Sequence, residues 1–128
     1  MTWSWIQPVT VYAVHDKQLS EHGGLSGIRN INAVESALSR APNLDALGNP
    51  PPDAAALAAA YMYGLASSHG FIDGNKRTAW VIGRLFLAIN GIKLQFTHTD
   101  AINLMLSVAG GTCSEADLAA WLRRRIVL

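Results

Sequence analysis

Residues 68–80 read SHGFIDGNKRTAW. Between Ala54 and Ile92 the only charged side chains are Asp73, Lys76, Arg77 and Arg84, and the first three fall within five consecutive positions. His69 stands just ahead of them. On both sides the chain is apolar with helical spacing. Upstream, Asp53 is an N-cap candidate for an alanine-rich helix reaching about Ser68. Downstream, a helix starts near Asn75 and stops at Asn90-Gly91. Ala79, Ile82, Leu85, Phe86 and Ile89 keep its helical period, while Trp80, Val81 and Leu87 fill other faces. A helix apolar nearly all round is a buried one, so this fourth helix is predicted to be central. The charges gather at its mouth.

Working outward, Val9 to Glu21 has the pattern of a first helix, stopped by His22-Gly23-Gly24. "LSGIRN" is a loop, and Asn30 or Asn32 caps a second helix that runs from Asn32 to Arg40. The proline-rich stretch "APNLDALGNPPPD", Ala41 to Asp53, reads as an ordered surface loop. "IKLQF" is short and suited to an extended segment. Thr99 is expected to cap a fifth helix to about Ala109, and Gly110-Gly111 breaks it. Thr112 or Ser114 then opens a sixth helix ending near Leu128, with Thr112 and Glu115 at capping-box spacing. Trp3 and Trp5 alternate with polar residues, a faint strand pattern. The expectation is an all-α fold: one domain over residues 1–128, a compact bundle of about six helices around a buried central helix.

Bulk properties narrow the function. Half of the 128 residues are apolar and 15% are charged, a globular balance with a large core. The net charge of +1 provides no basic field for nucleic acid. Arg123-Arg124-Arg125 closes the last helix, where cations favour the negative dipole end. A single cysteine, Cys113, permits neither an intrachain disulfide nor a thiolate metal cluster. The N-terminus lacks the basic and apolar regions of a secretory signal, and the apolar runs are too short to span a bilayer. These features predict a soluble, cytoplasmic protein without nucleic-acid or membrane partners.

A helix N-terminus presents free N–H groups and the positive end of the dipole, a ready anion site. Lys76 and Arg77 add positive charge inside the first turn, which disfavours the empty helix and suits a negative ligand. Phosphate fits, because an arginine grips it through two nitrogens. Gly70 and Gly74 allow the loop to turn tightly and approach a ligand. Asp73 can cap the helix or offer a carboxylate to Mg²⁺, which commonly takes one or two carboxylates plus phosphate oxygens. Asn75 can cap or bond a phosphate oxygen. His69, across the loop, can take a proton from an attacking hydroxyl. Phe71 reads as the apolar pin of the loop. Each residue alone has a structural explanation; their convergence at one helix mouth points to a site.

This segment resembles the signature of the Fic/Doc family, His-x-Phe-x-acid-small-Asn-x-Arg, matched by His69, Phe71, Asp73, Gly74, Asn75 and Arg77. Lys76 and Arg77-Thr78-Ala79 resemble the ending of its death-on-curing branch. Similarity extends upstream through "VHDKQLSEHGGLSGIRNINAVESALSRAPN" and downstream through "FLAINGIKL". The resemblance implies transfer of part of a nucleotide, ATP with Mg²⁺, to a protein hydroxyl. It implies His69 as general base, Asp73 as the Mg²⁺ ligand, and Gly74, Asn75, Lys76 and Arg77 with the helix amides as the phosphate cradle. In the wider family glycine usually stands at position 76 and a second arginine at 80. Lys76 and Trp80 here favour the branch that transfers the γ-phosphoryl group, whereas Gly74 follows the wider family.

That branch implies a toxin acting on a translation elongation factor and restrained by an antitoxin protein. The family's self-inhibiting Ser/Thr-x-x-x-Glu helix has no counterpart, since no serine or threonine has an acid four residues on. Inhibition is therefore expected in trans. Ala41 to Asp53 lies where the family has its target-docking flap, and a plain connector is the other reading of that stretch. The alternatives are AMP transfer by the same fold and a non-enzymatic helical binding module. A P-loop is excluded: Gly70 and Gly74 are one residue too close, and Asn75 separates Gly74 from Lys76.

Overall fold

The computed structural model describes residues 2–127. Six helices make the body: α1 (Pro8–His22), α2 (Ile31–Leu47), α3 (Ala54–Ser68), α4 (Asn75–Ile89), α5 (His98–Ala109) and α6 (Glu115–Arg125). Two short strands, β1 (Lys93–Leu94) and β2 (Ile126–Val127), pair antiparallel and join the end of the α4 hairpin to the end of α6. The all-helical architecture expected from the sequence is the one observed.

The central rod is α3, not α4 as the apolar pattern predicted. No charged side chain occurs along α3, and eleven of its fifteen residues are buried. Its alanines let α2, α4, α5 and α6 all pack against it. By contrast α4 is buried on one face, through Thr78, Ala79, Ile82, Gly83, Phe86 and Leu87. Arg84 and Ile89 point outward on the other. The two helices meet closely at Gly83, where a Cβ would lie 2.3 Å from Met62. Only a residue without a side chain fits there.

Several boundaries differ from the sequence reading. α2 does not end at Arg40 but runs through Pro42 to Leu47, so most of the expected loop is helix. Proline removes one helix hydrogen bond and crowds the preceding turn. Burial outweighs this: Ala41 is fully buried and Leu44 packs on the core. What remains as loop is the stretch from the C-cap Gly48 to the N-cap Asp53. The cap of α5 is Thr97, accepting from the Asp100 N–H at 3.2 Å, rather than Thr99. The cap of α6 is Ser114, and the helix stops at Arg125 because the next two residues pair with β1. Leu128, the expected end, lies outside the described residues.

The Trp3–Trp5 segment is extended but belongs to no strand. The Asn90 side chain takes the place of a strand partner, accepting from Ser4 N–H at 2.9 Å and donating to the Ser4 carbonyl at 3.0 Å. Both tryptophans lie against Phe86, with centroids 5.8 and 5.7 Å away. Two ion pairs tie α6 to the rest: Arg40 to Glu115, and Arg123 to Asp53. Among the described residues no helix is long and apolar enough to cross a membrane.

Candidate active site

The loop from His69 to Gly74 links the C-terminal end of α3 to the mouth of α4. It is zipped along a second loop, between α1 and α2. Gly70 carbonyl accepts from the Arg29 and Asn30 N–H groups at 2.8 and 3.0 Å, and Ile72 N–H donates to Gly27 carbonyl at 3.1 Å. Ile28 and Phe71 form an antiparallel bridge between the two. Phe71 is the pin that its sequence position predicts: it is 1% exposed and packs beneath the loop.

His69 is the C-cap of α3 and is exposed. Its φ of 52° makes it the one non-glycine residue with positive φ among the described residues. The left-handed conformation costs a side-chain-bearing residue about 1 kcal/mol or more. Glycine is the usual occupant of such a cap. Here an imidazole occupies it, exposed at the start of the loop that leads into α4.

Gly74, at φ 78°, is the N-cap of α4, and no side chain caps that helix. The first internal bond is Thr78 N–H to Gly74 carbonyl, 3.0 Å. The amides of Asn75, Lys76 and Arg77 precede it and form the open positive end. Lys76 and Arg77 are exposed and enter no ion pair among the described residues. The helix mouth thus carries two cations that no salt bridge among the described residues holds.

Asp73 does not cap α4, which was one reading of its position. Its Oδ2 accepts from Leu25 N–H at 3.2 Å and its Oδ1 from Gly74 N–H at 2.9 Å. These two bonds, with a smaller contribution from the charges of Arg77 and Lys76, hold the carboxyl below its ordinary pKa. The group is exposed and ionised at neutral pH. No group of three His, Cys, Asp or Glu side chains among the described residues forms a complete metal cage. A single oriented carboxylate suits Mg²⁺, which draws its remaining ligands from phosphate and water.

Asn75 is committed to the loop. Its Oδ1 accepts from Phe71 N–H at 3.1 Å, and its Nδ2 donates to Phe71 carbonyl at 2.9 Å. Its side chain is a clasp, and its backbone N–H remains at the helix mouth. Trp80 turns away into an aromatic cluster, edge-on to Phe96 at 5.0 Å and to Trp121 at 6.2 Å. Asp73, Gly74, Lys76 and Arg77 thus gather at the uncapped end of α4, and His69 is exposed at the start of the loop that leads into it. Sequence reasoning missed His15, which is buried against this loop from α1. Its position within an apolar helix face was the only available signal. A separate concavity of about 470 Å³ lies between α5 and α6, lined in part by Asp100, Ser107, Cys113 and Trp121. It shares none of these residues.

The chain belongs to the Fic/DOC family, whose model matches residues 5–87. It is 33% identical over 119 residues to the protein kinase doc of Escherichia phage P1, covering 93% of each chain. It is 37% identical over 103 residues to the toxin Doc of Mycolicibacterium smegmatis, covering 78% of each.

Proposed function

We propose that this chain is a toxin that transfers the γ-phosphoryl group of ATP to a serine or threonine hydroxyl of a target protein. The observation that carries this reading is the uncapped, cationic mouth of α4, entered by a loop that an exposed histidine leads. The names of its relatives, a protein kinase and a toxin, support it.

In this mechanism the triphosphate lies across the amides of residues 75–77, and Gly74 supplies the positive φ with which the loop enters α4. Lys76 and Arg77 take up phosphate charge; arginine can do so through two nitrogens. Mg²⁺ bound through Asp73 would neutralise further charge on the phosphate oxygens. His69 accepts the proton of the target hydroxyl as its oxygen bonds to the γ-phosphorus. The bond to the β,γ-bridging oxygen breaks, and ADP leaves. Positioning and fixed positive charge supply most of the acceleration in such transfers. The Asn75 clasp and the zipped loops keep the catalytic groups in register.

The direction of transfer is argued from residues 76 and 80. A lysine stands at 76, where the wider family usually has glycine, and Trp80, where it usually has a second arginine, is packed on Phe96 and Trp121 rather than presenting a cation. As a toxin, the protein requires restraint by an antitoxin in trans, and a translation elongation factor is the target to assay first. The test is incubation with Mg²⁺ and ATP labelled at either the γ or the α position, with purified translation factors as acceptors. Label transferred from the γ position is expected. Label from the α position would make the chain an AMP transferase, and none from either would make it a binding module.

A further inference from the structure

The buried face of α1 carries one polar side chain that this chemistry does not use. His15 is 3% exposed. Its ring lies flat on Phe71, with centroids 3.7 Å apart and planes 11° from parallel. Tyr12, one helical turn earlier, meets the same Phe71 edge-on at 6.0 Å. Nε2 of His15 is 2.8 Å from the backbone carbonyl oxygen of Asp73. A carbonyl only accepts, so Nε2 carries the proton and donates it. The next residue touches the same ring: a Cβ built on Gly74 would stand 3.5 and 3.6 Å from its Cδ2 and Nε2.

His15 therefore grips the peptide between Asp73 and Gly74 from beneath. That peptide is the joint between the site carboxylate and the N-cap of α4. From above, the Asp73 carboxylate is held by the Leu25 and Gly74 amides. From the side, Asn75 clasps Phe71. Of these supports, only the histidine reaches the turn from a different helix and from the core.

We propose that His15 is a positioning residue of the site. By donating Nε2–H to the Asp73 carbonyl while its ring rests on Phe71, it fixes the turn that aims the Asp73 carboxylate and the α4 amides at a bound Mg²⁺–nucleotide. What it positions rests on the function proposed above; the grip on the turn does not. A buried histidine that merely fills space would tolerate any aromatic ring of similar size. A donor that sets the turn would not.

Two substitutions separate these roles. His15→Phe keeps the ring stack and removes the donor. His15→Gln removes the ring but places an N–H the same number of bonds from Cα. Each variant is compared with the wild type by amide hydrogen exchange of the free protein and by calorimetric titration with ATP and Mg²⁺. In His15→Phe, exchange at Leu25 and Gly74 is expected to quicken about tenfold, as for loss of one buried hydrogen bond. Mg²⁺–ATP affinity should fall by about the same factor, while α3 amides keep their protection. His15→Gln should stay within about threefold of the wild type in both measurements. A His15→Phe variant equal to the wild type in both would overturn the proposal. So would a His15→Gln variant as impaired as His15→Phe, since the ring alone would then matter. If the wild type itself binds no Mg²⁺–ATP, the proposed function fails, and exchange at Leu25 and Gly74 alone decides the role of His15.

Discussion

Asp53 and Asp73 each stand immediately before a helix mouth, yet the protein treats them in opposite ways. Asp53 caps α3, accepting from Ala56 N–H at 2.9 Å, and the same carboxylate takes two bonds from Arg123, at 2.6 and 3.0 Å. Every charge at that mouth has a partner. Asp73 leaves α4 uncapped, turns its oxygens to Leu25 and Gly74, and forms no ion pair among the described residues. Lys76 and Arg77 beside it stay equally free. A chain selected only to fold would have closed both mouths in the first manner. The contrast is what the proposed ligand site at the open end of α4 requires, with the Asp53 end as an internal control.

The largest effect expected at the open mouth is that of His69→Ala. Transfer should drop about 10²- to 10⁴-fold, the usual contribution of a general base. The melting temperature should hold, because the side chain is exposed; full activity would remove the base assignment. Next come Arg77→Ala and Asp73→Asn, each removing a charged contact to the ligand. Nucleotide affinity in the first, and transfer at limiting Mg²⁺ in the second, should fall roughly tenfold to a hundredfold. Arg123→Ala at the closed mouth should leave both unchanged. If it weakens nucleotide binding as much as Arg77→Ala, the contrast between the two ends is lost.

Smaller and opposite in kind is Asp53→Ala. It should cost about 1–2 kcal/mol of stability through the lost cap, seen in chemical denaturation, with transfer retained. The smallest effect is a pH dependence. Chiefly the hydrogen bonds from Arg123, and also that from Ala56, hold the Asp53 carboxyl below its ordinary pKa. A depressed carboxylate stabilises the fold above its unfolded pKa, and that stabilisation is lost as pH falls through the folded value. Both side chains are about half exposed, so the contribution is modest. The melting-temperature gap between wild type and Arg123→Gln should be widest near neutrality and close below about pH 4. A gap that persists unchanged in acid would show that Arg123 acts by packing alone.

How much of this was legible in the sequence follows from which forces are local. Asp53, Asn30 and Asn75 were readable as helix starts because a cap or a first turn is set by neighbours a few residues away. So was the stop at Asn90-Gly91. The loop residues of the site were readable for the same reason, since all lie within one nine-residue stretch. Pro42 misled because its local cost is plain in sequence, whereas burial of Ala41 and Leu44 against distant helices is not. The ranking of α3 and α4 was inverted because both are apolar. The small alanines of α3 admit four neighbours, while Arg84 and Ile89 on α4 need a view of the outer face. Thr97 and Thr99 offer nearly equal caps, and tertiary packing decides between them. β2 could not be seen, since its partner lies over thirty residues away. His15 could not be seen either: it lies 58 residues from the carbonyl it holds.

The measurement closest to the central claim is a ¹H–¹⁵N NMR titration with a non-hydrolysable ATP analogue and Mg²⁺. The expected result is that the amides of Asn75, Lys76 and Arg77 shift together and saturably, with Leu25 and Gly74 following, while Ser107, Cys113 and Trp121 stay still. Shifts confined to those last three residues, or no saturable shift at all, would contradict the assignment of the α4 mouth as the triphosphate site.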